Sequence, residues 1–204
     1  PEQIINYLCF VAQELREIMA ELGIRSLDEM VGRTELLELN QAILPRQAKG
    51  IDFSRMLYKP QVPENVGTHY ITKQDHKIDE VLDLKLIALS KEALEKKKPV
   101  RIELPINNTN RTTGAMLSGR VCKIYAEAGL PDDTIRCKFK GVAGQSFGAW
   151  LARGITFELE GMANDYVGKG ISGGKIIIYP DREADYAAEE NIIIGNTTFY
   201  GAIS

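Results

Sequence analysis

The sequence predicts a mainly β chain with a helical N-terminal part, the β part being a single-stranded right-handed parallel β-helix, a Gly-rich solenoid truncated at the C-terminus. Three observations predict it. Residues 141–204 hold 11 of the chain's 18 glycines. Between them lie short β-branched runs, Ile135–Phe139, Ile155–Leu159, Lys175–Tyr179 and Asn191–Ile194, whose starts fall about 16–20 residues apart. Each spacing suffices for one strand, a corner and a return. The corners also recur: AGQSFGA at 143–149 is echoed by IGNTTFYGA at 194–202. No helix-like segment separates these runs, which disfavours doubly wound α/β topology. A solenoid cannot bury its ends alone, and the chain opens on Pro1 without a methionine. Both facts lead us to expect a piece of a longer polypeptide.

The elements follow in order. Ile4, Leu8, Val11, Leu15, Ile18 and Leu22 step by three and four, an apolar stripe that predicts a helix over 4–22. That stripe must bury itself against something. Gly23 suits the helix end, and Ser26 with Glu29 reads as a capping box opening a short helix that ends near Gly32. Residues 40–72 carry Pro45, Pro60, Pro63, Gly50 and Gly67 and show no period, so they read as a linker or docking arm. Ile51, Phe53, Met56, Leu57 and Tyr58 favour an arm that docks. A second helix is expected from about Asp75 to Lys96, with Lys96, Lys97 and Lys98 as its solvated end before Pro99. Val100–Ile106 alternates as a strand, and residues 113–128 read as another helix, stopped by Gly129 and Pro131.

Composition excludes several function classes. Of the 204 residues 44% are hydrophobic and 26% charged, the balance of a globular protein, and the net charge of −3 lacks the basic surplus of a general nucleic-acid binder. No apolar run is long enough to span a membrane, and charges at Glu14, Arg16 and Glu17 break any signal-peptide pattern. Neither nucleic acid nor membrane is expected as a partner, and a cytoplasmic location is. Cys9, Cys122 and Cys137 are odd in number and widely spaced, so we expect free thiols rather than a metal site. His69 and His76 stand in a polar stretch and read as surface residues.

Motifs that suggest chemistry resolve into structure. Residues 168–173 match GxGxxG, but a strand-like run follows where a dinucleotide site needs a helix N-terminus. Gly174-Lys175 fails the P-loop pattern, since Lys169 stands where glycine is required. We therefore read Gly144, Gly148, Gly161, Gly168, Gly170, Gly173, Gly174, Gly195 and Gly201 as structural corners. The N-x-S/T triplets at Asn107, Asn110 and Asn196 are chance matches in a chain without a secretory signal. The cluster Asn107–Thr113 is polar and offers Arg111 among amides and hydroxyls. We expect a turn in which Thr112 or Thr113 caps the next helix, and Asn108 and Arg111 as candidates for an inter-domain contact. Asp132 and Asp133 suit a turn, and Asn164-Asp165 a corner bonded to its own backbone. No Ser–His–Asp, Cys–His or paired-carboxylate arrangement is evident, so no catalytic, cofactor-binding or metal residue is assigned.

Several runs together carry a family resemblance. RTTGAMLSG at 111–119, GLPDDTI at 129–135, Gly141 through Gly148, and EGMANDYVGKG at 160–170 resemble the C-terminal region of the glutamate synthase large subunit, its Gly-rich GXGXG β-helix domain. The opening runs at 7–18 and 22–33 resemble the end of that family's FMN-binding synthase barrel. The resemblance is weakest over 40–72. It implies a division into a helical tail of the barrel domain (1–39), a linker or docking arm (40–72) and an incomplete GXGXG domain (73–204). It also implies a parent enzyme that makes glutamate from glutamine and 2-oxoglutarate, using FMN, a [3Fe–4S] cluster and electrons from NADPH, NADH or ferredoxin. The partners implied are the amidotransferase and FMN-barrel domains, and a small NAD(P)H-dependent subunit or ferredoxin. The glutaminase cysteine, cluster cysteines and FMN phosphate site have no counterpart in this sequence, so the resemblance implies a non-catalytic scaffold. The alternatives are a β-helix subunit of a formylmethanofuran dehydrogenase-like complex, and a free-standing binding module.

Overall fold

A computed structural model describes residues 2–38, 50–187 and 190–203. Residues 39–49, with Pro45 and most of the early part of the expected arm, lie outside the described residues. Residues 1–75 and 76–204 form two compact units.

In the first unit the apolar stripe folds as α1 (Glu2–Glu21). Gly23, at φ 70°, closes it: Ile24 N–H donates to Met19 O at 2.8 Å and Gly23 N–H to Ala20 O at 3.1 Å, which satisfies carbonyls the helix would leave open. Ser26 caps α2 (Leu27–Met30), its hydroxyl accepting from Glu29 N–H. The returning Glu29 carboxylate accepts from Arg25 N–H rather than from Ser26, so the expected box closes one residue early. Within this unit the stripe stays open: Ile4, Leu8, Val11, Ile18 and Leu22 are exposed and only Met19 is buried among the described residues of 1–75. In the expected arm, Phe53 and Leu57 are half-buried while Ile51, Met56 and Tyr58 are exposed.

The second unit is mixed. It holds α3 (Leu82–Leu89), α4 (Lys91–Lys96), β1 (Val100–Ile106), α5 (Ala115–Tyr125), β2 (Ile135–Ala143), β3 (Ile155–Ala163) and β4 (Lys175–Tyr179). With α1 and α2 this makes the described chain mixed α/β rather than mainly β. The helix expected over 75–96 is broken twice. Val81 is extended between a 3-10 turn and α3, and Ser90 interrupts α3 from α4. Lys97 ends α4 in a left-handed conformation with its ammonium 4.7 Å from the Tyr125 ring, and Lys98 pairs with Glu92. Tyr125 in turn donates to Leu94 O.

The four strands form one parallel sheet in chain order. Helix α5 lies between β1 and β2. No helix lies between β2, β3 and β4 among the described residues. Ile135 pairs with Ile155 and Thr156 with Lys175, so successive strands follow after 20 and 19 residues. Strands β2 and β3 run four residues past the apolar runs that predict them, because Lys140–Ala143 and Glu160–Ala163 continue the pairing. The expected strand at Asn191–Ile194 reduces to a single bridge from Ile194 to Ala163.

Register builds the core. Ile102, Cys137 and Phe157 stack in one column, Leu104, Phe139 and Leu159 in the next. Phe139, Phe147 and Phe157 are fully buried with ring centroids 5.1–5.6 Å apart, edge-on or tilted. The opposite face alternates charge: Arg136 pairs with Glu158 at 2.8 Å, Lys138 and Lys140 with Glu160, and Tyr179 Oη donates to Glu158 at 2.8 Å.

After β2 and β3 the chain turns through corners that stack as the strands do. Ser146 N–H donates to Asp165 O and Trp150 N–H to Lys169 O, while Gly168 N–H donates back to Phe147 O. The next corner continues the ladder: Tyr166 N–H to Asn196 O, Gly170 N–H to Tyr200 O, and Phe199 N–H back to Val167 O. The donors are alternate residues with positive φ: Ser146, Gly148 and Trp150, then Tyr166, Gly168 and Gly170; the third corner repeats the positive φ at Thr197, Phe199 and Gly201, with Phe199 as its donor. A left-handed residue at every second position turns successive N–H groups toward opposite neighbours, so one corner bonds both the one before and the one after.

Candidate functional site

The polar cluster Asn107–Thr113 links β1 to α5. It is self-bonded: Asn110 Oδ1 accepts from Asn107 N–H at 3.0 Å, and Asn107 Oδ1 from Thr109 N–H at 3.1 Å. Gly144 N–H donates to Asn110 O at 3.2 Å, and a Cβ on Gly144 would stand 2.6 Å from Asn108 O. Close approach, rather than positive φ, is therefore what needs glycine there. Asn108 and Arg111 are exposed. Arg111, His76, Lys77, Val81, Thr109 and Asn110 line a cavity of about 360 Å³. Lys77 is paired with Glu80 at 3.5 Å.

The helix that follows is not capped by Thr112 or Thr113. Gly114, at φ 100°, is the cap residue and has no capping side chain. The acceptor is Asp83 of α3: Oδ2 accepts from Gly114 N–H at 2.8 Å, and Oδ1 from Met116 N–H at 2.9 Å and Leu117 N–H at 3.1 Å. One carboxylate thus satisfies three open donors of α5 and faces the positive end of its dipole. Asp83 is only 3% exposed. Burial pushes its pKa above the ordinary value, against the three N–H groups that lower it. Sequence reasoning missed this residue, although a lone carboxylate in the run Leu82-Asp83-Leu84 was a signal.

The glycines expected at corners divide. Gly148, Gly168, Gly170 and Gly201 lie in the turns with φ of 61–66°. Gly173 precedes β4 at φ 79°, and Gly174 approaches Leu151 closely. Gly195 packs against the Asp165 carboxylate. Gly161 is not at a corner but inside β3, at φ 140°, paired with Gly141 of β2 at φ 131°. Each replaces a side chain that would enter a backbone carbonyl of the preceding strand, Gly141 O and Ile106 O respectively.

Other candidates also find places. Asp133 Oδ1 accepts from Thr156 at 2.7 Å and its Oδ2 binds Lys175 at 3.1 Å, which hold its carboxyl below the usual range; Asp132 joins Arg153 and Lys175. The two carboxylates tie the strand starts together. Asn164 Oδ1 accepts from Asp165 N–H as expected, but Asp165 bonds Asn196 N–H of the next corner. Strand β4 follows the GxGxxG match, so no helix N-terminus is offered to a phosphate. Cys9 and Cys122 are exposed and Cys137 lies in the core, where burial pushes its thiol up to about 12. Among the described residues no three His, Cys, Asp or Glu side chains gather to hold a metal ion, and no helix is long and apolar enough to cross a membrane.

Comparison with known proteins adds the following. A family model described as the GXGXG motif matches residues 83–204. The glutamate synthase [NADPH] large chain of Bacillus subtilis is 46% identical over 206 residues, covering 100% of this chain and 13% of its own length. The glutamate synthase [NADH] of Saccharomyces cerevisiae is 48% identical over 205 residues, covering 100% of this chain and 10% of its own. The ferredoxin-dependent glutamate synthase 2 of Synechocystis is 38% identical over 205 residues, covering 99% and 13%. The chain thus spans about an eighth to a tenth of the length of these relatives.

Proposed function

Since the chain belongs to the GXGXG motif family, we propose that it is a structural module of a glutamate synthase, which makes glutamate from glutamine and 2-oxoglutarate with reducing equivalents from NAD(P)H or ferredoxin. One observation carries the reading. Similarity to glutamate synthases extends over all of this chain, including the residues before 83 that the family model leaves out. A β-helix subunit of a formylmethanofuran dehydrogenase-like complex, or a free-standing module, would account for the Gly-rich part alone.

The module's role is that of a scaffold between amidotransferase and FMN-barrel domains, with residues 1–39 the helical tail of the barrel, 40–72 an arm and 73–204 an incomplete right-handed parallel β-helix. In support stand the chain-order parallel pairing, the repeat of 20 and 19 residues and the stacked corners. The parent's FMN and [3Fe–4S] cluster would be held elsewhere in the longer polypeptide. The cysteines of this chain do not fit a cluster, since Cys137 is a core residue in register with Ile102 and Phe157. The electron donor, a small NAD(P)H-dependent subunit or ferredoxin, would likewise meet the parent elsewhere. The setting is cytoplasmic.

Asn108 and Arg111 are the module's contact to a neighbouring domain, the exposed Arg111 lining the same cavity as His76. Holding two active sites in register is what keeps a transferred intermediate from escaping. The test uses the whole polypeptide that contains this chain. It should form glutamate from glutamine and 2-oxoglutarate with NADPH, NADH or reduced ferredoxin. Arg111→Ala should raise the glutamine hydrolysed per glutamate formed. A polypeptide that forms no glutamate with any of the three donors overturns the reading.

A further inference from the structure

The corners leave a ridge of aromatic side chains in solvent: Trp150 is 52% exposed, Tyr166 39%, Phe199 48% and Tyr200 63%. These residues belong to three corners stacked by backbone hydrogen bonds. Gly170 forms the floor under the Trp150 ring, and Gly168 the floor under Phe199, each too close for a Cβ. Gly170 N–H donates to Tyr200 O. The Lys169 ammonium sits 5.9 Å from the centre of the Trp150 ring and 5.5 Å from that of Tyr166. It makes no ion pair among the described residues.

The placement of these rings is unfavourable for the corner itself. Trp150, Tyr166 and Phe199 have φ of 53°, 64° and 57°, on the left-handed side where a bulky side chain is strained. The ladder needs only the backbone there. At the position of Trp150 the next two corners carry Gly170 and Gly201, and at the position of Phe199 the two before it carry Gly148 and Gly168. The sequence thus puts large apolar groups, aimed outward, where glycine meets the structural need.

We propose that this ridge is a docking surface for another segment of the same, longer polypeptide, an apolar segment that brings a carboxylate to Lys169. The proposal rests on the glutamate synthase reading. The relatives' own length supplies the occupant, since about nine-tenths of each lies outside the part matched by this chain. Charge complementarity supplies its acidic group, since the ammonium near the two rings has no ion-pair partner among the described residues. Contiguous exposed aromatics of this kind mark protein contacts rather than free surface.

The experiment uses the whole polypeptide carrying Trp150→Cys or, separately, Tyr200→Cys. Maleimide labelling at each introduced thiol is followed by peptide mass mapping, which separates it from Cys9 and Cys122, and is compared between native and denatured protein. Tyr200 has no positive φ, so its variant keeps the test alive if Trp150→Cys misfolds. Native labelling at least about tenfold slower than denatured labelling is expected, the mark of a site that reacts only on local opening. Lys169→Glu should then speed labelling at position 200. Equal native and denatured rates in a polypeptide that makes glutamate overturn the docking surface and spare the functional reading. Protection that grows with protein concentration would assign the ridge to a second copy and also overturn it. A polypeptide that makes no glutamate overturns the functional reading, whatever its labelling.

Discussion

The bends inside the sheet and the corners beyond it both need backbone with positive φ, yet they treat side chains in opposite ways. At the bends, Gly141 and Gly161 sit directly over one another, and a Cβ on either would enter the carbonyl of the strand before it. At the corners, nine alternate positions carry positive φ, but five hold Ser146, Trp150, Tyr166, Thr197 and Phe199. The difference is where the Cβ points. In the bends it points along the ladder into a neighbour's backbone, which cannot move without breaking the pairing. At the corner glycines Gly148, Gly168, Gly170 and Gly201 an added Cβ would meet open space or another residue's side chain rather than backbone, so the neighbour can give way.

The sharpest test substitutes a single methyl. Gly161→Ala combines a glycine-only conformation with a collision against Gly141 O and should destabilise the chain by about 4 kcal/mol, read from a shift in the urea midpoint. A loss under 1 kcal/mol would mean that the bend relaxes as easily as a corner. Asp83→Asn should cost about 2 kcal/mol, since it weakens three hydrogen bonds at the start of α5, where Thr112 and Gly114 take the place of a later corner. The pH dependence has a definite sign. Burial raises the folded pKa of Asp83, so the folded state binds the extra proton and the wild type gains stability as pH falls toward 3.8. The gap between wild type and Asp83→Asn should therefore widen from pH 7 toward pH 4. A gap that narrows would show that the three N–H donors outweigh burial.

The outer face of the sheet responds in the other direction. Glu158 is held below its ordinary value of 4.5 by the Arg136 guanidinium first and by Tyr179 second. Its contribution is present above that value and lost as pH falls through the lowered folded pKa. Glu158→Gln should cost about 1 kcal/mol at pH 7 and nothing at the acid end of the unfolding curve. A pH-independent cost would mean that Glu158 acts by packing rather than by charge.

What the sequence shows and what it hides follow the same division between local and distant causes. Helix α1, the Gly23 cap, strand β1 and the start of each Gly-rich repeat are local patterns and can be read directly. The periodicity over 75–96 reads as one helix because Val81 and Ser90 do not break an apolar period. Their conformations come from packing α3 and α4 separately under α5. The α5 cap was hidden for a related reason, since its acceptor lies 31 residues upstream and outcompetes Thr112 and Thr113 nearby. Strand ends were hidden because Lys140 and Glu160 pair across the sheet while looking polar in sequence. Arg111 was legible as a singular cation in a polar loop, but its neighbour His76 comes to it only through the fold.

The smallest effect returns to the corners. Thr197 is β-branched and sits at φ 58°, a conformation that suits glycine better than any other residue. If the corner needs backbone alone, Thr197→Gly should stabilise the chain by about 0.5 kcal/mol, the relief of left-handed strain less the added entropy of a glycine in the unfolded state. Its hydroxyl makes no hydrogen bond among the described residues, whereas that of Thr198 donates to Gly195 O. Thr198→Gly should therefore destabilise, and the pair of variants separates backbone strain from side-chain bonding in the same turn. A loss in both would mean that side chains stiffen the corner against the unfolded chain, and that the tolerance seen at Ser146, Trp150, Tyr166 and Phe199 has a stabilising purpose of its own.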